Sequence, residues 1–435
     1  MEWWGYLAII LVLLTAFFLS ALPVAICFTL FNFIAAYFWM GGTDAFGLLT
    51  ISAFSSIASF PLVAVPLFVL MGELLFQSGV ISVVLDAVGK WLGGVRGSLA
   101  YVAVAAGTLF GTMSGSAVSG VAVLGSTLAP DMRQRGYAKE MALGPILGSG
   151  CLAMIIPPSV LAVLLGSLGQ IPVGDLLISG IFPGLLLAAL YAVFIFLRIR
   201  MKPALVPAGL LQSGTWNERL RATLTMSPVL LVTAAVWGVM LFGIATPSEA
   251  AAIGVLGSLV VMAIYRRLAW STVKRALFDT VKITSMIFLI IISAQAFSQI
   301  LAYTGTTSKL VGFVTESGLS PSLILIGMMA TMIILGTFLD ELALLMISIP
   351  IYMPIVKAFA FNPVWFGLMM LITIEIATIS PPYGLALFVL KGVVPEASMV
   401  DVWKASIPYM MLSTIALVLI FIFPQIALWL PALIQ

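Results

Sequence analysis

The chain has 435 residues, 62% of them hydrophobic and 8% charged, against about 25% charged in a soluble domain; so few charges cannot cover a water-facing surface, and lipid must be part of the solvent. A formal net charge of +3 with no basic run excludes nucleic acid as a partner. The absence of histidine excludes histidine-based metal sites and imidazole proton relays.

The N-terminus, MEWWGYLAIILVLLTAFF, lacks a basic n-region and a small-residue cleavage site, so it reads as a retained first span. Apolar stretches at 4–20, 22–40, 61–78, 141–170, 176–198, 227–243, 247–264, 283–304, 364–390 and 405–424 make about ten spans at roughly 20 residues each. Cys27 and Cys151 both fall in such stretches and read as small core residues. Two further stretches, 97–129 and 320–353, are rich in Gly, Ser and Pro at their centres. Each is expected to form a re-entrant hairpin of two half-helices. Irregular backbone at membrane depth survives only where protein or a cavity surrounds it. No GxxxxGK[ST] string occurs, so the chain is not expected to hydrolyse ATP itself.

The two halves carry the same landmarks in the same order. Pro23 matches Pro247, Ser78-Gly79 matches Thr304-Gly305, Gly111-Thr112 matches Gly336-Thr337, and Pro157-Pro158 matches Pro381-Pro382. Each pair lies about 225 residues apart, the signature of a duplicated unit. Residues 1–202 form the first repeat and 227–435 the second, with 203–226 as a linker. Basic residues fix the orientation. Lys90, Arg96, Arg133, Arg135 and Lys139 flank the first Gly/Ser-rich stretch, whereas Glu316 and a single Lys357 flank the second. The linker carries Arg219 and Arg221 and is expected on the cytoplasmic side. Arg266, Arg267, Lys274 and Arg275 read as an amphipathic cytoplasmic helix whose counterpart, 44–59, has no Lys or Arg. The expectation is an all-α integral membrane fold of two inverted-topology repeats, with both termini periplasmic.

In such folds broken helices from both halves converge near the midplane, offering carbonyls to a cation and half-helix N-termini to an anion. Ser114, Gly115 and Ser116 stand in GTMSGSAVSG at the first hairpin tip. They suit either a sodium site of hydroxyls and freed carbonyls or tight small-residue packing. Asp340 and Glu341 stand at the equivalent turn, where adjacent carboxylates are expensive without a partner. They suit cation coordination or an exposed hairpin mouth, and Asp340 is the preferred candidate. Ile156, Pro157, Pro158 and Ser159 in one half, and Ser380, Pro381, Pro382, Tyr383 and Gly384 in the other, interrupt spans and strand carbonyls one turn earlier. A plain helix kink is the alternative. Glu73 and Glu375 are lone acids within spans and are left unassigned. Thr246-Pro247-Ser248-Glu249 reads as a helix start.

Four strings in order resemble the large membrane subunit of tripartite ATP-independent periplasmic (TRAP) transporters. They are RQRGYAKEMALGPILGSGCLAMIIPPS from Arg133, GIATPSEAAAIG from Gly243, GTFLDELALLMISIPIYMPIV from Gly336 and SPPYGLALFVLKGV from Ser380. The resemblance runs from near Val65 to Pro408. It implies a secondary importer in the bacterial inner membrane, of elevator type, typically sodium-coupled and moving small organic anions, mostly carboxylates. Its implied partners are a small membrane subunit of four helices and a periplasmic substrate-binding protein. Sodium, the only coupling ion implied and with no other cofactor, would be held by Ser114, Gly115 and Ser116 with Ile156, Pro157, Pro158 and Ser159. A second set would be Gly336, Thr337 and Asp340 with Ser380, Pro381, Pro382 and Gly384. Ser116, Ser159, Asp340 and Tyr383 are the expected cargo-site residues. The chain departs from the family pattern at Gly120, where many members carry a polar or acidic residue, and at Ser380, where many read Thr. A stand-alone carrier of organic or inorganic anions is the alternative; an intramembrane enzyme would need a convergent catalytic set that the scattered acids do not offer.

Overall fold

The computed structural model describes residues 2–20, 22–207 and 214–433, which are helical with no strand among them. In lipid, an open chain can satisfy its backbone only within helices. The first half runs Trp3–Leu19, Val24–Trp39, Ala45–Ile57, Ala64–Gln77 and Val80–Leu92. A helix pair, Ser98–Ser114 and Ala117–Gln134, follows, then an interrupted helix, Lys139–Cys151 and Val160–Gly169, then Val173–Ser179 and Ile181–Met201. The second half runs Trp216–Leu241, Pro247–Ile264, Trp270–Tyr303, Thr306–Glu316, the pair Pro321–Gly336 and Glu341–Ala358, the interrupted helix Pro363–Thr378 and Leu385–Val393, and Met399–Ile422, with no counterpart of Val173–Ser179 among the described residues. A short helix, Gln425–Ala432, ends it.

Local chemistry explains the matched boundaries. Gly79 (φ 67°) and Gly305 (φ 70°) both take the left-handed conformation that lets a new helix start at once. Pro247 opens its helix behind a capping box: Thr246 Oγ1 accepts from the Glu249 amide, and a Glu249 carboxylate oxygen accepts from the Thr246 amide at 2.8 Å. Both Pro157-Pro158 and Pro381-Pro382 have cis peptide bonds.

Two boundaries differ from the sequence reading. Trp270–Tyr303 is one unbroken helix of 34 residues, about 51 Å long at 1.5 Å per residue, so the basic cluster is not a separate amphipathic helix. Its N-terminal third extends a span, because nothing between Trp270 and Tyr303 is Gly or Pro. In the first half, Pro61 interrupts the corresponding stretch and leaves Ala45–Ile57 separate from Ala64–Gln77. The helix after the linker starts at Trp216, capped by Thr215 and Glu218, not near 227. Seven helices among the described residues are long and apolar enough to cross a membrane. Others expected as spans are shorter, such as Trp3–Leu19 and Val24–Trp39, or are divided by the proline breaks.

Two elements are enclosed almost completely. Every residue from Met141 to Cys151 is buried, and so is nearly all of Pro363–Thr378; helices apolar all round belong inside a bundle. Small residues set the closeness of packing. A side chain at Gly120 would meet the Gly150 carbonyl oxygen at 2.6 Å, and one at Gly148 would meet the Tyr409 ring at 2.5 Å. No larger residue fits at Gly120 with this backbone. Ion pairs tie the halves together: Lys139 with Asp401 and Arg133 with Glu396, each at 2.7 Å. Within the first half, Arg198 pairs with Glu140. Arg96 donates to the Pro203 carbonyl at 2.9 Å.

Candidate functional site

The first hairpin tip sits on the first helix break. Gly115 (φ 59°) turns the chain between Ser98–Ser114 and Ala117–Gln134, and a side chain there would lie 2.6 Å from the Pro158 carbonyl oxygen. Only glycine combines that conformation with so close an approach. Ser116 caps the returning helix, its Oγ accepting from the Ser119 amide at 3.4 Å. The Ser114 side chain lies outside the described residues. Across the contact, Ser159 Oγ accepts from the Ala162 amide at 3.1 Å and donates to the Met154 carbonyl at 2.6 Å. Ile156 is fully buried against Gly184. The Pro157 carbonyl accepts the indole N–H of Trp237 at 2.8 Å. Two backbone carbonyls that a helix break could offer to an ion, those of Met154 and Pro157, are therefore already engaged by side chains.

The second tip and break are also neighbours. A side chain at Gly336 would meet Ala377 Cβ at 2.6 Å, and one at Gly384 would meet the Thr378 carbonyl at 2.4 Å. Thr337 Oγ1 donates to the Ile334 carbonyl at 2.7 Å. Asp340 is the N-cap of Glu341–Ala358, its Oδ1 accepting from the Ala343 amide at 2.7 Å. Ser380 Oγ reaches the Pro381 carbonyl at 3.4 Å. Tyr383 is exposed, stacked on Phe388 and 5.7 Å from the Phe338 ring.

Between these parts lies a cavity of about 180 Å³. Gly115, Ser116, Ala117 and Ser119 of the first tip line it, with Met154, Val160, Leu161 and Leu164 of the first break. Glu341 and Leu342 come from the second tip, Glu73 and Phe76 from Ala64–Gln77, and Ile283, Met286 and Ile287 from Trp270–Tyr303. Three helices open their N-termini onto it: Ala117–Gln134 and Val160–Gly169, neither with an acid in its first turn, and Glu341–Ala358, whose first turn carries Glu341. Such N-termini carry partial positive charge and unused amides, which suit an anion. Among the described residues, no lysine or arginine lines it.

Of the four expected cargo-site residues, only Ser116 lines this cavity. Ser159 is buried behind the wall with its hydroxyl occupied, Asp340 is spent on capping, and Tyr383 faces outward. Glu341 takes the place expected for Asp340. Among the described residues, its Oε2 is buried with no hydrogen-bond partner. Glu73, left unassigned from the sequence, faces the same space; Gln77, one turn on, donates to Asp279 Oδ2 at 3.1 Å. The adjacent pair DE in an apolar string was a legible signal, but which acid caps and which faces inward depends on where the helix starts. Glu375 is fully buried elsewhere, accepting from Tyr191 at 2.8 Å and Ser413 at 3.2 Å.

Residues 11–426 match the family described as Tripartite ATP-independent periplasmic transporter, DctM component. The chain is 32% identical over 393 residues to the C4-dicarboxylate TRAP transporter large permease protein DctM of Pseudomonas aeruginosa, covering 89% of this chain and 90% of that one. It is 27% identical to the ectoine TRAP transporter large permease protein TeaC of Halomonas elongata, covering 95% and 96%. It is 28% identical to the sialic acid TRAP transporter permease protein SiaT of Haemophilus influenzae, covering 99% of this chain and 69% of that one. Its fold is similar to the solved YdaH transporter of Alcanivorax borkumensis, with TM-score 0.64, 16% identity and coverage of 88% and 89%. MtrF of Neisseria gonorrhoeae is similar too, with TM-score 0.61, 16% identity and coverage of 89% and 85%.

Proposed function

The chain belongs to the DctM-component family of tripartite ATP-independent periplasmic transporters, a multi-pass membrane transporter component and not an enzyme; from that premise we propose that it is the transport-pathway subunit of a sodium-coupled importer of small organic anions. The observation that carries the reading is the cavity at the first hairpin tip, onto which two helices free of acids in their first turns open their N-termini. A carboxylate of the cargo docks there. The halves work as inverted repeats, in which tips and broken helices move as a body against the remaining helices and carry the cavity from one face to the other. The helix boundaries at the matched landmarks support this, as do the ion pairs Arg133–Glu396 and Lys139–Asp401, which fasten parts of the two halves to each other. Sodium is drawn to the two tip-and-break contacts, where backbone carbonyls crowd around Gly115 and Gly384. A small four-helix membrane subunit braces the chain, and a periplasmic binding protein delivers the cargo. The basic linker faces the cytoplasm and both termini face the periplasm of a bacterial inner membrane.

The test is uptake of labelled carboxylates into proteoliposomes holding this chain and its small partner, with the binding protein and the sodium gradient each present or absent. Uptake that needs both is the expected result. Uptake by the chain alone would make it a stand-alone carrier, and uptake indifferent to sodium would remove the coupling ion.

A further inference from the structure

The cavity that suits a carboxylate at one side carries acids at the other. Glu341 and Glu73 line it, and among the described residues no lysine or arginine does. The Glu341 Oε2 is buried and unpartnered among the described residues. Glu341 is not needed to hold its own helix, because Asp340 already caps that N-terminus through the Ala343 amide. Glu73 has the amide side chain of Gln77 as its hydrogen-bonding neighbour, and Gln77 in turn donates to Asp279 Oδ2 at 3.1 Å, so the groups around Glu73 include a second acid. An acid at membrane depth without a partner is costly. A carboxylate-only cargo would add negative charge beside two acids in a space with no basic side chain among its described residues, where low dielectric strengthens repulsion.

We propose that the cargo is a zwitterion, an organic acid that also bears an ammonium or amidinium group, with its carboxylate at the N-termini of Ala117–Gln134 and Val160–Gly169 and its cationic group at Glu341, facing Glu73. This rests on the transport reading above and narrows its cargo class. The rest of the lining is apolar, with Phe76, Phe110, Met154 and Leu161 around the polar ends; such walls suit a short carbon skeleton between the two charges. An inorganic cation supplies the same chemistry at Glu341, and the experiment separates the two sources.

The full-length chain in detergent is titrated calorimetrically with matched pairs of equal length, 4-aminobutyrate against succinate and 5-aminovalerate against glutarate, and with glycine betaine, each with and without sodium. The expected result is a preference of about tenfold or more for the aminocarboxylates or the betaine over the dicarboxylates. Glu341→Gln abolishes that preference, and Glu73→Gln weakens it. A melting transition and a gel-filtration profile in detergent that match the parent serve as the fold control for both variants. If the dicarboxylates bind as well or better once sodium is present, an inorganic cation neutralises the acids. The zwitterion inference then falls, and the transport reading stands. An unchanged preference in Glu341→Gln also overturns it. If no compound of either class binds under any condition, the zwitterion inference falls, while the transport reading is decided separately by uptake with the small partner and the binding protein present.

Discussion

At the level of single residues, neighbours with the same chemistry have divided the work by helix phase. Asp340 and Glu341 are adjacent carboxylates, yet one caps a helix and the other lines the cavity. Asn caps a helix about as well as Asp, whereas Ala loses roughly 1 kcal/mol. Asp340→Asn is therefore expected to keep the melting temperature and the sodium dependence of uptake within about twofold of the parent, while Asp340→Ala lowers stability by that ~1 kcal/mol. A sharp fall in sodium affinity in the Asn variant would instead make Asp340 an ion ligand. The sequence was enough to single out this pair, because two acids in an apolar run are conspicuous. It was not enough to choose between them, since a shift of one residue in the helix start turns a side chain by about 100°. Glu73 was less legible still. A lone acid in a span looks the same whether it meets a neighbouring helix or a cavity, and only the approach of Trp270–Tyr303 and the two tips decides it.

Among the elements, the breaks were the most readable feature and the long helix the least. Paired prolines remove backbone donors wherever they stand, so the interruptions after Cys151 and after Thr378 follow from the sequence directly. Trp270–Tyr303 was obscured because Lys274, Arg275, Asp279 and Lys282 interrupt its hydropathy without interrupting its helix. What the sequence did not reveal is how the first tip meets the first break. The small residues of GTMSGSAVSG suited either an ion site or packing, and at Gly115 the backbone of one element lies directly on the Pro158 carbonyl of the other. Gly115→Ala places a methyl group 2.6 Å from that oxygen at a φ of +59°, a conformation that costs an L residue roughly 1–2 kcal/mol before any clash. The variant is expected to insert and to retain the outer helices, while uptake falls by about tenfold or more as the tip is pushed off the break. Normal uptake would mean that the contact is packing without a part in transport.

For the whole molecule, the spacing of about 225 residues between Pro, Gly and double-Pro landmarks led to the expectation of a duplicated unit, and helix boundaries fall at those landmarks in both halves. The halves are not copies. One has Ala45–Ile57 and Ala64–Gln77 where the other has a single helix, and only the second ends in an extra short one. These differences concentrate outside the tips and breaks. The cavity itself could not be read from sequence, because its walls come from five separate stretches between Val69 and Leu342.

The most direct test of the central claim, that this cavity is alternately exposed to the two sides of the membrane, is labelling of Ser119→Cys. Ser119 lines the cavity, and the native thiols, Cys27 and Cys151, are both fully buried, so a membrane-impermeant thiol reagent reports on position 119 alone. Oriented proteoliposomes are labelled from one side at a time, with and without sodium and cargo. The account predicts reaction from both sides, with the balance between them shifted by sodium and cargo. Reaction from one side only, under every condition, would contradict it.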